Sequence, residues 1–304
     1  MKTRILLALF CAAQLSVLWA NPKFNGRWDI TVTNEPRHRV WWLEISGAET
    51  AQPKGKFVSA YAGDMNVIDE LEIRGDEITF GFRPKNGQHP VYKARLVGDK
   101  LQGTFNQMMF TGVRAPRINE TDDGKWKKGK PVAIFNGKDM AGLKALIPNK
   151  ELGWEVKDGI LVNKAGANNL ITEAKYWNFE LHVEFKLGPK SNSGIGLRGR
   201  YEIQILEDYG NPPNSHSNGA LYSRVAPKVN ASKPVGEWQT YDIRLVGREV
   251  TVVLNGQKVL DKVEIEGLTA VAVDANEGEP GPLILQGDHG SVEIRKLVLT
   301  PLTK

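Results

Sequence analysis

The sequence contains a single cysteine, Cys11. It lies in an N-terminal segment in which Lys2 and Arg4 precede an apolar run ending at Ala20, the layout of a secretory signal peptide that is cut off during export. We predict residues 1–20 as this peptide and Asn21 as the mature start. The exported chain then has no disulfide, no thiol nucleophile and no thiolate metal site, so its stability must come from burial.

Long apolar runs and strong charge are also absent. The apolar run 5–19 is shorter than the roughly 20 residues needed to cross a bilayer, and no later segment approaches that length. The formal net charge of +5 becomes +3 without Lys2 and Arg4, and basic residues are scattered among acidic ones. This pattern argues against nucleic acid as a partner. We therefore predict a periplasmic or secreted protein with no membrane insertion.

Helical periodicity is missing as well, and short alternating apolar runs take its place. In residues 24–117 these runs are separated by turn residues, including the Gly-Asp pairs at 75–76 and 98–99, which suit tight hairpins. We predict a small antiparallel β-barrel or curled meander there. Residues 118–131 are charged, rich in turn formers and without periodicity, which predicts a linker.

A second set of strands fills residues 132–302, again with Gly, Asn and Pro at the turns. So many short strands over this length favour a two-sheet β-sandwich over a smaller barrel. The sequence thus predicts an all-β protein of two domains.

The segment Tyr201–Asp208 is the most informative for chemistry. Its first, third and fifth residues are apolar, so Glu202 and Gln204 point to the opposite face of a strand. A bulge near its end would bring Glu207 to the same face. The arrangement is similar to the Glu-x-Asp-x-x-Glu strand of laminarinase-type glycoside hydrolases, with Gln204 in place of the middle Asp. An ordinary solvated strand face is the alternative.

A more specific resemblance covers about residues 132–302, which look like a 3-keto-disaccharide hydrolase domain. It rests on ordered matches at 134–139, 154–159, 192–198, 201–208, 219–222, 234–238, 254–256, 281–286 and 288–290. The resemblance implies a concanavalin-like jelly roll, an extracytoplasmic location and cleavage of glycosides already oxidised at sugar carbon 3. The family strand commonly ends Ile-Leu-Asp, whereas this chain has Glu207-Asp208 after Leu206, so the acidic role falls on either carboxylate.

The chemistry that the resemblance implies needs few groups. A ketone at carbon 3 acidifies the proton on carbon 2, which a base can remove, and an acid can assist departure of the carbon 1 substituent. We predict as catalytic candidates Glu202 or His289 for the base, and Glu207 or Asp208 for the acid. We predict as substrate-binding residues Arg198, Gln204, Tyr222, Trp238 and Gln286.

Several of these residues also have purely structural interpretations. Arg198 could form a surface ion pair, Trp238 could fill the core, and His289 could belong to a turn. His216 lies on a long loop and its role is open.

No cofactor is predicted. The Gly-x-Gly-x-x-Gly match at 194–199 precedes a strand rather than a helix, so no helix N-terminus is available for a pyrophosphate, and no zinc motif is present. The loop Asp274–Glu279 leaves calcium as an alternative. The substrate is predicted to be an oligosaccharide or glycoside, and the oligomeric state is unknown. Two other functions stay open: a non-catalytic carbohydrate-binding module, and a structural protein that binds a partner through its N-terminal barrel.

Overall fold

The computed structural model describes residues 21–35, 39–59, 63–83 and 89–304, so the predicted signal peptide lies outside the described residues. After a short 3-10 helix at Pro22–Phe24, every regular element is a strand. In the described part of the chain, no helix is long and apolar enough to span a membrane. The prediction of an all-β fold is confirmed.

The N-terminal sheet has nine strands. They are β1 (Gly26–Val32), β2 (Val40–Ser46), β3 (Lys54–Val58), β4 (Met65–Val67), β5 (Glu70–Arg74), β6 (Glu77–Gly81), β7 (Val91–Val97), β8 (Lys100–Phe105) and β9 (Met108–Arg114). All described pairings between them are antiparallel, in the spatial order β4-β3-β2-β1-β9-β8-β7-β6-β5.

This sheet curls almost into a closed barrel. Its two edge strands, β4 and β5, are separated in the chain only by Ile68 and Asp69, although a flat sheet of nine strands would place them about 38 Å apart. The backbone N–H of Ile68 donates to the carbonyl of Gly55 in β3 at 2.9 Å, and that of Asp69 donates to Gly81 in β6 at 3.1 Å. The interior is filled by large aromatic side chains, among them Trp28, Trp41, Phe57, Phe80 and Tyr92.

The second domain is a sandwich of two sheets. Its strands are β10 (Lys127–Lys128), β11 (Val132–Phe135), β12 (Leu143–Ala145), β13 (Trp154–Lys157), β14 (Ile160–Asn163), β15 (Leu170–Thr172), β16 (Phe179–Leu187), β17 (Asn192–Leu197), β18 (Tyr201–Leu206), β19 (Trp238–Val246), β20 (Glu249–Leu254), β21 (Gln257–Glu264), β22 (Ile284–Leu285) and β23 (Val292–Thr303). The larger sheet has the order β13-β14-β23-β16-β19-β20-β21, with β10 and β11 also paired to β23. The smaller sheet has the order β12-β15-β22-β17-β18.

Strict alternation of apolar and polar residues builds the core between these sheets. Along β16 every second residue is buried, beginning with Phe179, and the apolar residues of β17 and β18 lie in the same core cluster. Val40, Trp42 and Val58 of the N-terminal sheet pack into this cluster too. The two domains therefore share a buried apolar contact.

Candidate active site

A cavity of about 520 Å³ lies over the smaller sheet of the sandwich. This volume is within the usual range for small-molecule sites. Its polar lining comes mainly from the sandwich, and the apolar lining comes from Val40 and from the segments 146–148 and 270–273. The polar side chains on the lining are Arg39, Asn169, Asn192, Glu202, Gln204, Tyr222, Gln286, Asp288 and His289.

Strands β17 and β18 place Glu202 and Gln204 at this cavity. The two strands pair antiparallel, with Glu202 opposite Gly196 and Gln204 opposite Gly194. The intervening residue Ile203 points into the core and is fully buried. A Cβ atom on Gly194 would overlap the Glu202 carboxylate, so the glycine provides the space that this side chain occupies.

Glu202 is an unusual acid because only 3% of the residue is exposed. Burial raises the pKa of its carboxyl to about 8, an effect increased by the negative charge of Asp288 and reduced by His289. At neutral pH the group therefore keeps its proton and can donate it. Perturbed acids of this kind are typical of catalytic sites.

Asp288 and His289 form a pair beside Glu202. His289 Nδ1 lies 2.8 Å from Asp288 Oδ1, and this hydrogen bond raises the pKa of His289 above its ordinary value. Burial alone would raise the pKa of Asp288, but hydrogen bonds from His289 and Asn169 outweigh it and lower that pKa. Asn169 fixes the turn itself, since its Oδ1 accepts from the backbone N–H groups of Gly287 and Asp288 at 2.8 and 3.1 Å. The pair thus leaves His289 Nε2 as the nitrogen that can act on a ligand.

Two amide side chains on the cavity lining have an acceptor atom without a partner. The Oε1 atoms of Gln204 and Gln286 are buried and have no hydrogen-bond partner among the described residues. The Gln204 amide nitrogen donates to Asn192 Oδ1 at 3.3 Å, which fixes the orientation of that side chain. A buried acceptor without a partner costs about 1–3 kcal/mol, so a ligand hydroxyl at these atoms would be stabilising. Sugars supply such hydroxyls.

Tyr222 closes one side of the cavity. Its backbone N–H donates to the carbonyl of Glu202 at 3.0 Å, which ties the tyrosine segment to β18. Burial, together with the charges of Asp64 and Glu202, raises the pKa of Tyr222 to about 12. The phenol therefore remains a hydrogen-bond donor at any physiological pH.

The structure brings together five of the nine residues predicted from the sequence, namely Glu202, Gln204, Tyr222, Gln286 and His289. The other four lie elsewhere.

Arg198 is fully buried. Its guanidinium stacks on Trp177 at 3.8 Å, and it donates hydrogen bonds to the Trp177 carbonyl at 2.6 Å and to Asn178 Oδ1 at 2.8 Å. Every one of these contacts is within the fold, so the expected substrate contact of Arg198 is replaced by a structural role.

Neither acidic residue after β18 lines the cavity. Asp208 is buried and accepts hydrogen bonds from the Asn218 backbone at 3.0 Å and from Ser232 Oγ at 2.7 Å, which anchors the following loop. Glu207 directly follows β18, and its Oε2 accepts a hydrogen bond from the backbone N–H of Lys190 at 3.4 Å. The expected bulge that would turn Glu207 toward the polar face is not formed.

Trp238 belongs to the other sheet. It begins β19, and its ring lies between the cations of Lys186 and Arg295, at 5.1 and 4.3 Å from the ring centroid. Neither the predicted sugar stacking nor the alternative of core packing describes this position, because the ring is only partly buried and lies away from the cavity.

The loop considered for calcium uses its carboxylates in ion pairs. Asp274 Oδ1 lies 2.7 Å from Arg200 Nε, and both carboxylate oxygens of Glu277 accept from Arg248 at 2.9 Å. Within the described ranges, no three His, Cys, Asp or Glu side chains are grouped so as to hold a metal ion. These carboxylates stabilise the protein's own cations.

Sequence reasoning missed several lining residues. Asn169, Asn192 and Asp288 come from three separate turns or strand ends, and no periodicity connects them. Asp288 was adjacent to a predicted residue and could have been found from the tendency of Asp to orient a neighbouring His. Arg39 of the N-terminal domain also lines the cavity, and no local sequence pattern indicates this.

Replacing Gly194 with alanine tests how Glu202 is placed. We expect Gly194→Ala to reduce kcat/KM by about 10- to 100-fold while the fold is retained, because the new methyl group must displace the carboxylate and a misplaced catalytic group costs about this much. Steady-state kinetics and circular dichroism provide the measurement. Gly188→Ala is the matched control, since its Cβ would make only ordinary contacts of 3.4 and 3.6 Å. An unchanged kcat/KM in Gly194→Ala would contradict the prediction.

Comparisons with known proteins identify the family to which most of the second domain belongs. Residues 130–300 match the 3-keto-alpha-glucoside-1,2-lyase-like domain family. A 3-keto-disaccharide hydrolase of Bacteroides thetaiotaomicron is 25% identical over 169 residues, which cover 43% of this chain and 57% of that protein. The chain thus spans little more than half the length of this relative.

Solved structures are also similar to part of this chain. A candidate glycosyl hydrolase from Parabacteroides distasonis is 26% identical, covering 60% of this chain and 90% of that chain with a TM-score of 0.49. SCLam, a non-specific endo-β-1,3(4)-glucanase of family GH16, is 15% identical, covering 61% of this chain and 95% of its own with a TM-score of 0.38.

Proposed function

Since the chain belongs to the 3-keto-alpha-glucoside-1,2-lyase-like domain family through residues 130–300, we propose that it is an exported enzyme that cleaves 3-keto-glycosides, including 3-keto-disaccharides. One observation carries the proposal: a buried carboxyl with a pKa of about 8 lies beside a carboxylate-oriented histidine in a cavity with unpaired amide acceptors. The acid and the base that the reaction needs are therefore within one site.

The proposed first step is an elimination. His289 Nε2 removes the proton from carbon 2, the C–H electrons form the enolate of the carbon 3 ketone, and the Tyr222 hydroxyl donates a hydrogen bond to its oxygen. The enolate then expels the substituent on carbon 1, whose oxygen takes the Glu202 proton. The products are an alcohol and an unsaturated keto sugar.

Water completes the reaction in the second step. Glu202, now ionised, takes a proton from water as the oxygen adds to carbon 1, and protonated His289 returns a proton to carbon 2. This restores both groups and yields the free 3-keto sugar, so the overall reaction is hydrolysis. The amide oxygens of Gln204 and Gln286 support this assignment as acceptors for sugar hydroxyls.

A substrate comparison in D₂O tests the function. We expect purified protein to release monosaccharide from a 3-keto-disaccharide and none from its unoxidised parent, with deuterium incorporated at carbon 2 of the product. Chromatography and mass spectrometry measure both results. Release from the parent sugar would indicate an ordinary glycosidase, while binding without release would favour the carbohydrate-binding alternative. Because His289 can return the original proton, only release with neither deuterium incorporation nor a kinetic isotope effect for substrate deuterated at carbon 2 would contradict the elimination.

A further inference from the structure

The N-terminal domain forms part of the cavity wall. Arg39, Val40 and Gly63 line the cavity together with the sandwich residues, although the family match begins only at residue 130. Arg39 is itself oriented by an ion pair to Glu35, with Nε 2.8 Å from Oε1. A domain outside the family region therefore contacts the space in which the substrate is proposed to bind.

The N-terminal domain also contacts the segment that carries Tyr222. Asp64 Oδ1 lies 2.6 Å from His216 Nε2, and the backbone N–H of Met65 donates to Ser223 Oγ at 2.8 Å. On the far side of the tyrosine, the Arg224 guanidinium stacks on Trp42 of β2 at 4.3 Å. The residue after Tyr222 has a positive φ of 56°, so the chain turns sharply to bring these contacts together.

Asp64 reaches the tyrosine in two ways: directly, through a side-chain hydrogen bond that helps to raise the pKa of Tyr222, and through His216. The two rings meet edge to face, with centroids 5.1 Å apart and an interplanar angle of 87°. A Cβ atom on Gly63 would lie 3.8 Å from the Tyr222 hydroxyl, so the Asp64 backbone also passes close to that oxygen. The carboxylate holds the imidazole, and the imidazole fixes the plane of the phenol.

We propose that the N-terminal domain completes the active site, and that Asp64 is a positioning residue that orients Tyr222 both directly and through His216. The inference rests on the proposed function, in which the Tyr222 hydroxyl stabilises the enolate. Asp64 itself does not touch the substrate. Loss of the carboxylate frees the imidazole and then the phenol, which weakens a hydrogen bond formed in the transition state rather than substrate binding.

A double-mutant cycle tests the inference on the full chain. We expect Asp64→Ala to lower kcat by about 10- to 100-fold with little change in KM, and to have no further effect in a Tyr222→Phe background. Asp64→Asn should restore most of the activity, because its side-chain oxygen still accepts from His216. The matched control is Glu264→Ala, which removes the exposed inter-domain ion pair with Arg27 and should leave kcat unchanged. Additive losses in the double variant, or an equal loss in Glu264→Ala, would overturn the inference.

A second measurement does not depend on turnover. It therefore distinguishes failure of the inference from failure of the proposed function. The ¹³Cζ resonance of Tyr222, assigned by its disappearance in Tyr222→Phe, should shift in Asp64→Ala and stay in place in Glu264→Ala. If the wild-type protein releases no sugar but this shift is seen, the function fails while the positioning role stands. An unshifted resonance in folded Asp64→Ala would refute the positioning role whatever the enzyme does. If the alanine variant does not fold, Asp64→Ser, which also removes the carboxylate, takes its place.

Discussion

Replacement of Glu202 with glutamine is expected to lower kcat by about 10²- to 10⁴-fold, the range that general acid catalysis supplies. Glutamine keeps the shape of the side chain but cannot give a proton to the leaving oxygen. The comparison variant is Glu207→Gln, whose carboxylate lies outside the cavity in the structure. We expect it to retain wild-type kcat. Equal losses in both variants would contradict the assignment.

The pH dependence of kcat gives the same test a second measurement. The active form needs Glu202 protonated and His289 neutral, so activity should fall as the pH rises through about 8, where Glu202 ionises. It should also fall as the pH drops through the raised pKa of His289. Glu202→Gln should lose the alkaline limb and keep the acidic one. A residual activity that still declines near pH 8 would assign that limb to another group.

Glu202 also makes the folding free energy depend on pH. Its pKa is 4.5 ordinarily and about 8 in the folded state, so the folded protein binds more protons than the unfolded chain between these values. The contribution of this group to stability therefore falls as the pH rises through that window. Glu202→Gln should show a weaker decline of stability with pH than the wild type.

Truncation of Glu277 is expected to have the largest effect on stability, about 3–5 kcal/mol, the usual cost of leaving a buried charge without its partner. Glu277 is fully buried and accepts two hydrogen bonds of 2.9 Å from Arg248 and one of 2.8 Å from the Tyr201 hydroxyl. Glu277→Ala would strand the Arg248 guanidinium near the domain contact. Urea unfolding followed by tryptophan fluorescence measures the loss.

Asp29 of the N-terminal sheet makes this cluster an inter-domain feature. Its burial and the nearby negative charge of Glu277 raise the pKa of Asp29 to about 9, so Asp29 is protonated at neutral pH.

The control for Glu277→Ala is again Glu264→Ala. The carboxylate lost in this variant is 63% exposed, so its loss should lower the free energy of unfolding by less than about 1 kcal/mol. If both variants lost the same stability, the buried cluster would have no special role.

Predictions from the sequence succeeded where a local pattern carried the information. The alternation in Tyr201–Leu206 separated the side chains that enter the core from those on the opposite face, and the structure places Glu202 and Gln204 on the cavity. The ordered matches around 288–290 pointed to His289, which also lines it. The same local reasoning failed for Arg198, because its burial depends on Trp177, a residue 21 positions away.

The sequence by itself determined the all-β class, the two-domain organisation and the family, since strand periodicity, turn residues and ordered motifs are properties of short segments. Only the tertiary structure decided which of the carboxylates lines the cavity. Glu202, Glu207 and Asp208 are nearly adjacent in the chain, yet one is buried at a cavity with its proton retained, one lies at the end of a strand and one anchors a loop. Solvent exclusion sets the pKa of Glu202, and partners brought in by distant segments set the contacts of all three groups. Neither is encoded in the residues next to each group in the chain.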